Sequence, residues 1–225
     1  MREIVVDTET TGLNPEDGHR IVEIGCIELE RGVPTGRTWH RYVNPERPMP
    51  SAAEAIHGIT DAFLADKPLF AAVADELVGF LADAPLVIHN AAFDLGFLNA
   101  ELSRSGRNTL APARVVDTVE LARRKYPGLP ASLDALCKRF AIDLAEREKH
   151  GALVDARLLA EVYLELTGGR QATLVLARTA ATVATETAIA AAPTARTARV
   201  IAPSEAELAA HAALLAKLKG AIWGA

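Results

Sequence analysis

The chain has 225 residues, half of them hydrophobic, and a formal net charge of −5. That length suits one good-sized domain with an appendage, or two small domains, and the apolar share suffices for a full core. The charge leaves no basic footprint of the kind a nucleic-acid-binding domain ordinarily shows. No apolar run reaches the roughly 18–20 residues of a membrane span, and no signal peptide precedes the first strand. Cys26 and Cys137 stand alone in apolar segments. Both read as core residues of a reduced, cytosolic protein.

Ile4-Val5-Val6 reads as a buried strand that delivers two carboxylates, Asp7 and Glu9, before Thr11-Gly12 turns the chain. Positions two apart on a strand point to the same side, with Cα atoms about 6.6–7 Å apart. Two such acids repel each other and are costly to bury ionised. A divalent cation held by oxygen ligands is the simplest partner for them. After a turn over residues 14–18, residues 21–29 suit a second strand, residues 31–36 close a hairpin, and residues 38–43 return as a third strand. Ser51 with Glu54 reads as a capping box for a short helix that stops near His57-Gly58. The apolar spacing predicts a longer helix over residues 69–81.

Leu86-Val87-Ile88 is a short apolar strand, followed by a helix over residues 92–102 that carries Asp94 above Phe97 and Leu98. Val115-Val116 is another buried strand, and Asp117 after it reads as a helix N-cap. Ser132 caps a helix through Phe140, and a polar loop over residues 146–151 leads into a helix over residues 152–166. In that last helix Asp155 shares its face with Leu158, Leu159 and Val162. Acids near a helix start are favoured by the helix dipole. Two of them on inward stripes, beside a strand carrying two more, make a shared metal site the more economical account. Bound cations would also offset the acidic balance locally, which weakens the argument against nucleic acid. His150, in the loop before Asp155, is placed to act as a general base. His89 and Asn90 read as internal hydrogen-bonding groups, and Arg147 and Lys149 as solvated charges.

Three strands in succession, then strands alternating with helices, predict an α/β domain with a mixed sheet and helices on both faces. It spans residues 1–169. Residues 170–203, rich in Ala and Thr, read as a flexible linker. Residues 204–225 read as one amphipathic helix opened by the Ser204/Glu207 capping box, with Leu208, Leu214, Leu215, Leu218, Ile222 and Trp223 on its stripe.

Asp7-Thr8-Glu9-Thr10-Thr11-Gly12, His89-Asn90-Ala91-Ala92-Phe93-Asp94 and His150-Gly151-Ala152-Leu153-Val154-Asp155-Ala156 together resemble the three motifs of the DEDDh 3′–5′ exonucleases. The likeness covers roughly residues 2–169, with the motifs in the same order. It implies a ribonuclease-H-like fold with five strands, the first three antiparallel and two more added parallel. It also implies that Asp7, Glu9, Asp94 and Asp155 bind two Mg²⁺ or Mn²⁺ ions, with His150 as the base. His57 matches a histidine that contacts substrate, whereas Ala52 stands where some relatives carry a glutamate. Asp7, Glu9, Thr10, Leu13, His57 and Asp155 would face the terminal nucleotide, with Leu13 wedged against its base.

The activity implied is release of 5′-mononucleotides from DNA 3′ ends, mispaired ends first, as the proofreading subunit of a replicative polymerase. By the same resemblance, residues 204–225 would bind the polymerase catalytic subunit. The peptide Gln171-Ala172-Thr173-Leu174-Val175-Leu176 resembles a sliding-clamp docking peptide. The setting implied is the cytoplasm, at the nucleoid through the replisome, with no membrane partner. Two alternatives stand beside this: a stand-alone exonuclease acting on RNA or short oligonucleotides, and a scaffold subunit that no longer cleaves.

Overall fold

The computed structural model describes residues 1–145, 150–168 and 203–217. The expected linker, the peptide at 171–176, Arg147, Lys149 and the last three stripe positions of the tail lie outside the described residues. The chain divides into two compact units, Met1–Val175 and Leu176–Ala225.

The first unit is built on a five-stranded sheet in the order β3-β2-β1-β4-β5. Strand β1 (Arg2–Thr10) pairs antiparallel with β2 (Ile21–Glu30), which pairs antiparallel with β3 (Val33–Tyr42). The short strands β4 (Leu86–Ile88) and β5 (Val115–Asp117) then add in parallel, β4 beside β1 and β5 beside β4. This is the mixed sheet that the strand and helix succession predicts.

Side chains alternate across the strands, so each face has its own core. Ile4, Val6, Ile24, Leu86 and Ile88 pack against α3 (Phe70–Leu81) and α4 (Ala91–Arg104). Val5, Ile27, Leu29 and Val87 pack on the other face, against α6 (Leu133–Phe140) and α7 (Ala152–Thr167). Two short helices, α1 (Ser51–His57) and α2 (Asp61–Leu64), cover the near end of β2, and α5 (Thr118–Lys125) follows β5. Cys26 and Cys137 are both buried in these cores. No helix among the described residues is long and apolar enough to cross a membrane.

Two local expectations are corrected. The hairpin turn occupies only Arg31-Gly32, both with positive φ, and β3 starts at Val33 and runs through Pro34 and Gly36. Proline is tolerated there because β3 is an edge strand, where a missing ladder donor costs little. Ser51 is the first helical residue of α1 rather than its cap; Pro50 holds the cap position and no side chain bonds the free amides. The helix does end as expected, at Gly58 with φ 75°.

In the second unit, α8 (Glu205–Leu215) opens on the expected capping box, with the Ser204 hydroxyl accepting from Glu207 N and the Glu207 carboxylate accepting from Ser204 N. Leu208 and Leu214 are exposed. Alanines spread around the rest of the cylinder, so the apolar stripe is weak within the described turns.

Candidate active site

The site forms at the carboxyl end of β1. Asp7 and Glu9 lie on the same face of β1 as Val5, the face that α7 covers. Across the hairpin, Asp7 stands opposite Gly25 and Glu9 opposite Glu23. Gly25 is what lets α7 come close. A Cβ built there would lie 2.4 Å from the carbonyl carbon of Ala152 and 2.5 Å from Leu153 N. Bare backbone at Gly25 therefore seats the first turn of α7 on the sheet and brings in Asp155, which is 4% exposed.

Asp94 arrives from the other side, in the first turn of α4. The Thr8 hydroxyl donates to Asp94 Oδ1 at 2.7 Å, so the strand residue between Asp7 and Glu9 orients the third acid. The turn before α4 is held by Asp117, whose carboxylate accepts from Asn90 N at 3.2 Å, Ala91 N at 3.0 Å and Val119 N at 2.8 Å. Asp117 is thus the N-cap of α5 that the sequence suggests, and it also pins the left-handed Asn90, with φ 61°, at the start of α4. Half-buried His89 takes the hydrogen-bonding role expected of it, bonding to the Thr118 hydroxyl at 2.8 Å, whereas Asn90 is exposed and its side chain makes no cap bond.

His150 places Nδ1 3.1 Å from Asp155 Oδ2, with its side chain 49% exposed. Glu9, His150 and Asp155 each offer a ligating atom within 4.8 Å of the others. The carboxylates carry the electrostatic cost anticipated for them. Burial raises the Asp7 pKa well above the usual carboxylate range, and Asp94, Glu9, Asp155 and Glu23 push in the same direction. Burial pushes Asp94 up to about 7, against the Thr8 hydrogen bond that lowers it, with Asp117 adding to the rise. Packed oxygen donors that repel one another fit a hard divalent cation, which would turn that repulsion into attraction.

A pH dependence follows. In the metal-free protein Asp94 holds its proton up to about pH 7, whereas the unfolded chain loses it near pH 4. Folding therefore takes up protons across that window, and the contribution of Asp94 to stability falls as pH rises from about 4 to about 7. Mg²⁺ should reverse the loss. The gain in Tm on replacing EDTA with excess Mg²⁺ should be small at pH 5 and large at pH 8; a gain independent of pH would contradict this electrostatic account.

Beside the acids lies a cleft of about 600 Å³ walled by Glu9, Thr10, Leu13, Ile56, His57 and Phe93. That is the size of an ordinary small-ligand site. Leu13 projects into solvent at the loop tip, 85% exposed. His57 is buried in the wall. Its Nδ1 accepts from Ile59 N at 3.0 Å, which leaves the ring proton on Nε2, and Nε2 is buried without a hydrogen-bond partner. Burial lowers the His57 pKa, against a backbone interaction with Thr10 that raises it.

The candidate site residues Asp7, Glu9, Thr10, Leu13, His57, Asp94, His150 and Asp155 are therefore brought to one end of the sheet. Sequence reasoning missed Glu23, a fifth acid beside the group. It is 3% exposed and 2.7 Å from His40 Nε2. It also missed Gly25 and Thr8. The acid inside Ile21-Val22-Glu23-Ile24 was the available signal for Glu23. The roles of Gly25 and Thr8 depend on partners that sequence spacing does not reveal.

The chain belongs to the exonuclease family, whose model matches residues 4–163. It is 50% identical over 222 residues to a Rickettsia conorii protein named DNA polymerase III subunit epsilon, covering 97% of this chain and 96% of that one. It is 49% identical over 176 residues to the Escherichia coli protein of the same name, covering 75% and 72% respectively. Among solved structures, exonuclease X in complex with 5′ overhanging duplex DNA is 30% identical with a TM-score of 0.56, over 73% of this chain and 90% of that one. The nuclease domain of 3′hExo, described as a DEDDh family member, shares the fold with a TM-score of 0.64 at 18% identity, over 74% and 91%.

Proposed function

We propose that this chain is the 3′–5′ exonuclease that proofreads for a replicative DNA polymerase. The observation that carries the reading is the electrostatic convergence of Glu9, Asp94 and Asp155 on buried Asp7, beside a nucleotide-sized cleft walled in part by His57. A match to the Rickettsia conorii epsilon subunit over nearly the full length of both chains supports the polymerase association.

Asp7, Glu9, Asp94 and Asp155 would hold two Mg²⁺ or Mn²⁺ ions. Such ions, when bound, would supply charge neutralisation of the phosphodiester and Lewis acidity. His150 is placed to take a proton from the attacking water. With Nδ1 engaged by Asp155 Oδ2 at 3.1 Å, Nε2 is the ring nitrogen left to accept a proton. The Thr8 hydroxyl keeps Asp94 aimed at the site. His57 offers its Nε2 proton to a substrate oxygen, while the Thr10–Leu13 backbone and the Leu13 side chain receive the last nucleotide. The cleft accepts a single unstacked nucleotide, and a mispaired 3′ end reaches that state at lower cost than a paired one. Contacts to phosphate and sugar read no sequence.

The tail, with its capped α8, would bind the polymerase catalytic subunit, and the peptide at 171–176 would dock on the sliding clamp. The enzyme would then work in the cytoplasm at the replisome.

A 5′-labelled primer tests the activity. With Mg²⁺ the protein should shorten a 3′-mismatched DNA primer faster than a matched one, one nucleotide at a time, and EDTA should stop it. Faster degradation of an RNA primer of the same sequence would favour the stand-alone reading. Loss of residues 177–225 should leave this activity and abolish capture of the polymerase catalytic subunit.

A further inference from the structure

The loop that faces the cleft is fastened to its surroundings through Arg20. Thr11 N donates to Arg20 O at 2.9 Å, and Arg20 N donates to Thr11 Oγ1 at 3.0 Å. The Thr11 hydroxyl in turn reaches His19 Nδ1 at 3.1 Å. The His19 ring lies flat on Gly12, where a Cβ would come within 2.3 Å of Cε1. Residues 10–13 thus have little freedom relative to Arg20.

Arg20 is itself tied to α4. Its Nε donates to Glu101 Oε1 at 2.6 Å and one terminal nitrogen donates to Oε2 at 2.9 Å. Glu101 is 1% exposed. Arg104, one turn further on, donates to Glu101 Oε1 at 3.4 Å and to Pro15 O at 3.1 Å. Glu101 lies seven residues after Asp94, so both sit on the buried face of α4 with Phe97 and Leu98. One rigid helix face therefore carries a carboxylate of the active site at one end and the anchor of the nucleotide-facing loop at the other.

We propose that Arg20 and Glu101 form a strut that fixes the loop of residues 10–13 relative to Asp94, and that both are positioning residues for binding the 3′-terminal nucleotide. A buried ion pair is poor evidence of stabilisation, since apolar replacement of both partners is often neutral. Its distinctive contribution is directional. A planar guanidinium bonded through two nitrogens to one carboxylate sets distance and angle together, which an ammonium or an apolar pair does not. A loop displaced relative to Asp94 would still hold the acids but would misplace the nucleotide.

The inference rests on the exonuclease reading, and one set of variants tests it in the full-length chain. Glu101→Gln, Arg20→Lys and the double variant Arg20→Met/Glu101→Leu are compared with wild type for Tm, for KM and kcat on a single-stranded oligodeoxynucleotide, and for affinity for 5′-dTMP. Glu101→Gln should lower Tm and raise KM about tenfold, with kcat within about threefold. Arg20→Lys keeps the charge, so KM should rise by about threefold with little change in Tm. The double variant should recover Tm while KM and the 5′-dTMP affinity stay weakened. A KM that returns to the wild-type value along with Tm, or wild-type KM in all three variants, would overturn the strut. A wild-type chain that releases no mononucleotide would overturn the exonuclease reading instead.

Discussion

Asp7→Ala should cut nucleotide release about 10³-fold or more and, in the same protein, raise the thermal stability of the metal-free form at pH 7. The two effects have one cause. Asp7 is surrounded by Asp94, Glu9, Asp155 and Glu23 and is held partly out of water, all of which raise its pKa. A carboxylate in that position is a liability to folding that only a bound cation redeems. Removing it relieves repulsion on each of its neighbours and, on the reading proposed above, eliminates a metal ligand. Gains of about 0.5–2 kcal/mol are common when a functional site is stripped of such strain. Thermal melts in EDTA and primer shortening in Mg²⁺ measure the two halves. An Asp7→Ala protein that is inactive and also less stable would show that Asp7 serves the fold rather than the chemistry.

Gly25→Ala should be costlier to the molecule as a whole. The added methyl meets backbone atoms of Ala152 and Leu153 at 2.4–2.5 Å, and backbone has no rotamer to retreat into. Either α7 lifts off the sheet or β2 distorts. Overpacking of this kind costs about 1–3 kcal/mol or somewhat more. Displacement of α7 carries Asp155 and His150 with it, and a shift of about 1 Å at a reacting centre can cost about 100-fold in rate. Gly79→Ala provides the control, because nothing lies within 4 Å of its added Cβ in α3. That change should stabilise by about 0.5–1 kcal/mol and leave activity unchanged. Equal Tm for Gly25→Ala and wild type would mean that the helix seat is not set by this contact.

The legibility of the site in the sequence divides along physical lines. Asp94 and Asp155 were readable because each breaks an apolar helix face, and a periodic pattern makes its own violations visible. Asp7 and Glu9 were readable because a strand end supplied two acids on one side. His57, Thr10 and Leu13 took their roles from family resemblance; their spacing alone marks nothing, and the cleft that joins them exists only once α1 folds over β1 and β2. Glu23 and Gly25 depend on the register of β1 against β2. A one-residue slip would have put both on the opposite face. The Thr8–Asp94 bond spans 86 residues and the Arg20–Glu101 pair spans 81, so neither has a local signature.

Element boundaries were affected in the same way. The Arg31–Gly36 stretch looks like a turn because it holds one proline and two glycines, but only Gly32 lies in the turn and the edge strand accommodates Pro34 and Gly36. Ser51 and Glu54 have capping-box spacing without the capping geometry, since the chain enters α1 one residue earlier through Pro50. Ser204 and Glu207 have the same spacing and do form the box.

Calorimetric titration of Mn²⁺ into the wild-type chain with saturating 5′-dTMP, repeated on Asp7→Ala, tests the central claim most directly. Asp7 and the three carboxylates Glu9, Asp94 and Asp155 should bind two ions per wild-type chain, and the variant should lose the tight binding. Undiminished Mn²⁺ binding by Asp7→Ala would contradict the assignment of the strand end as the metal centre.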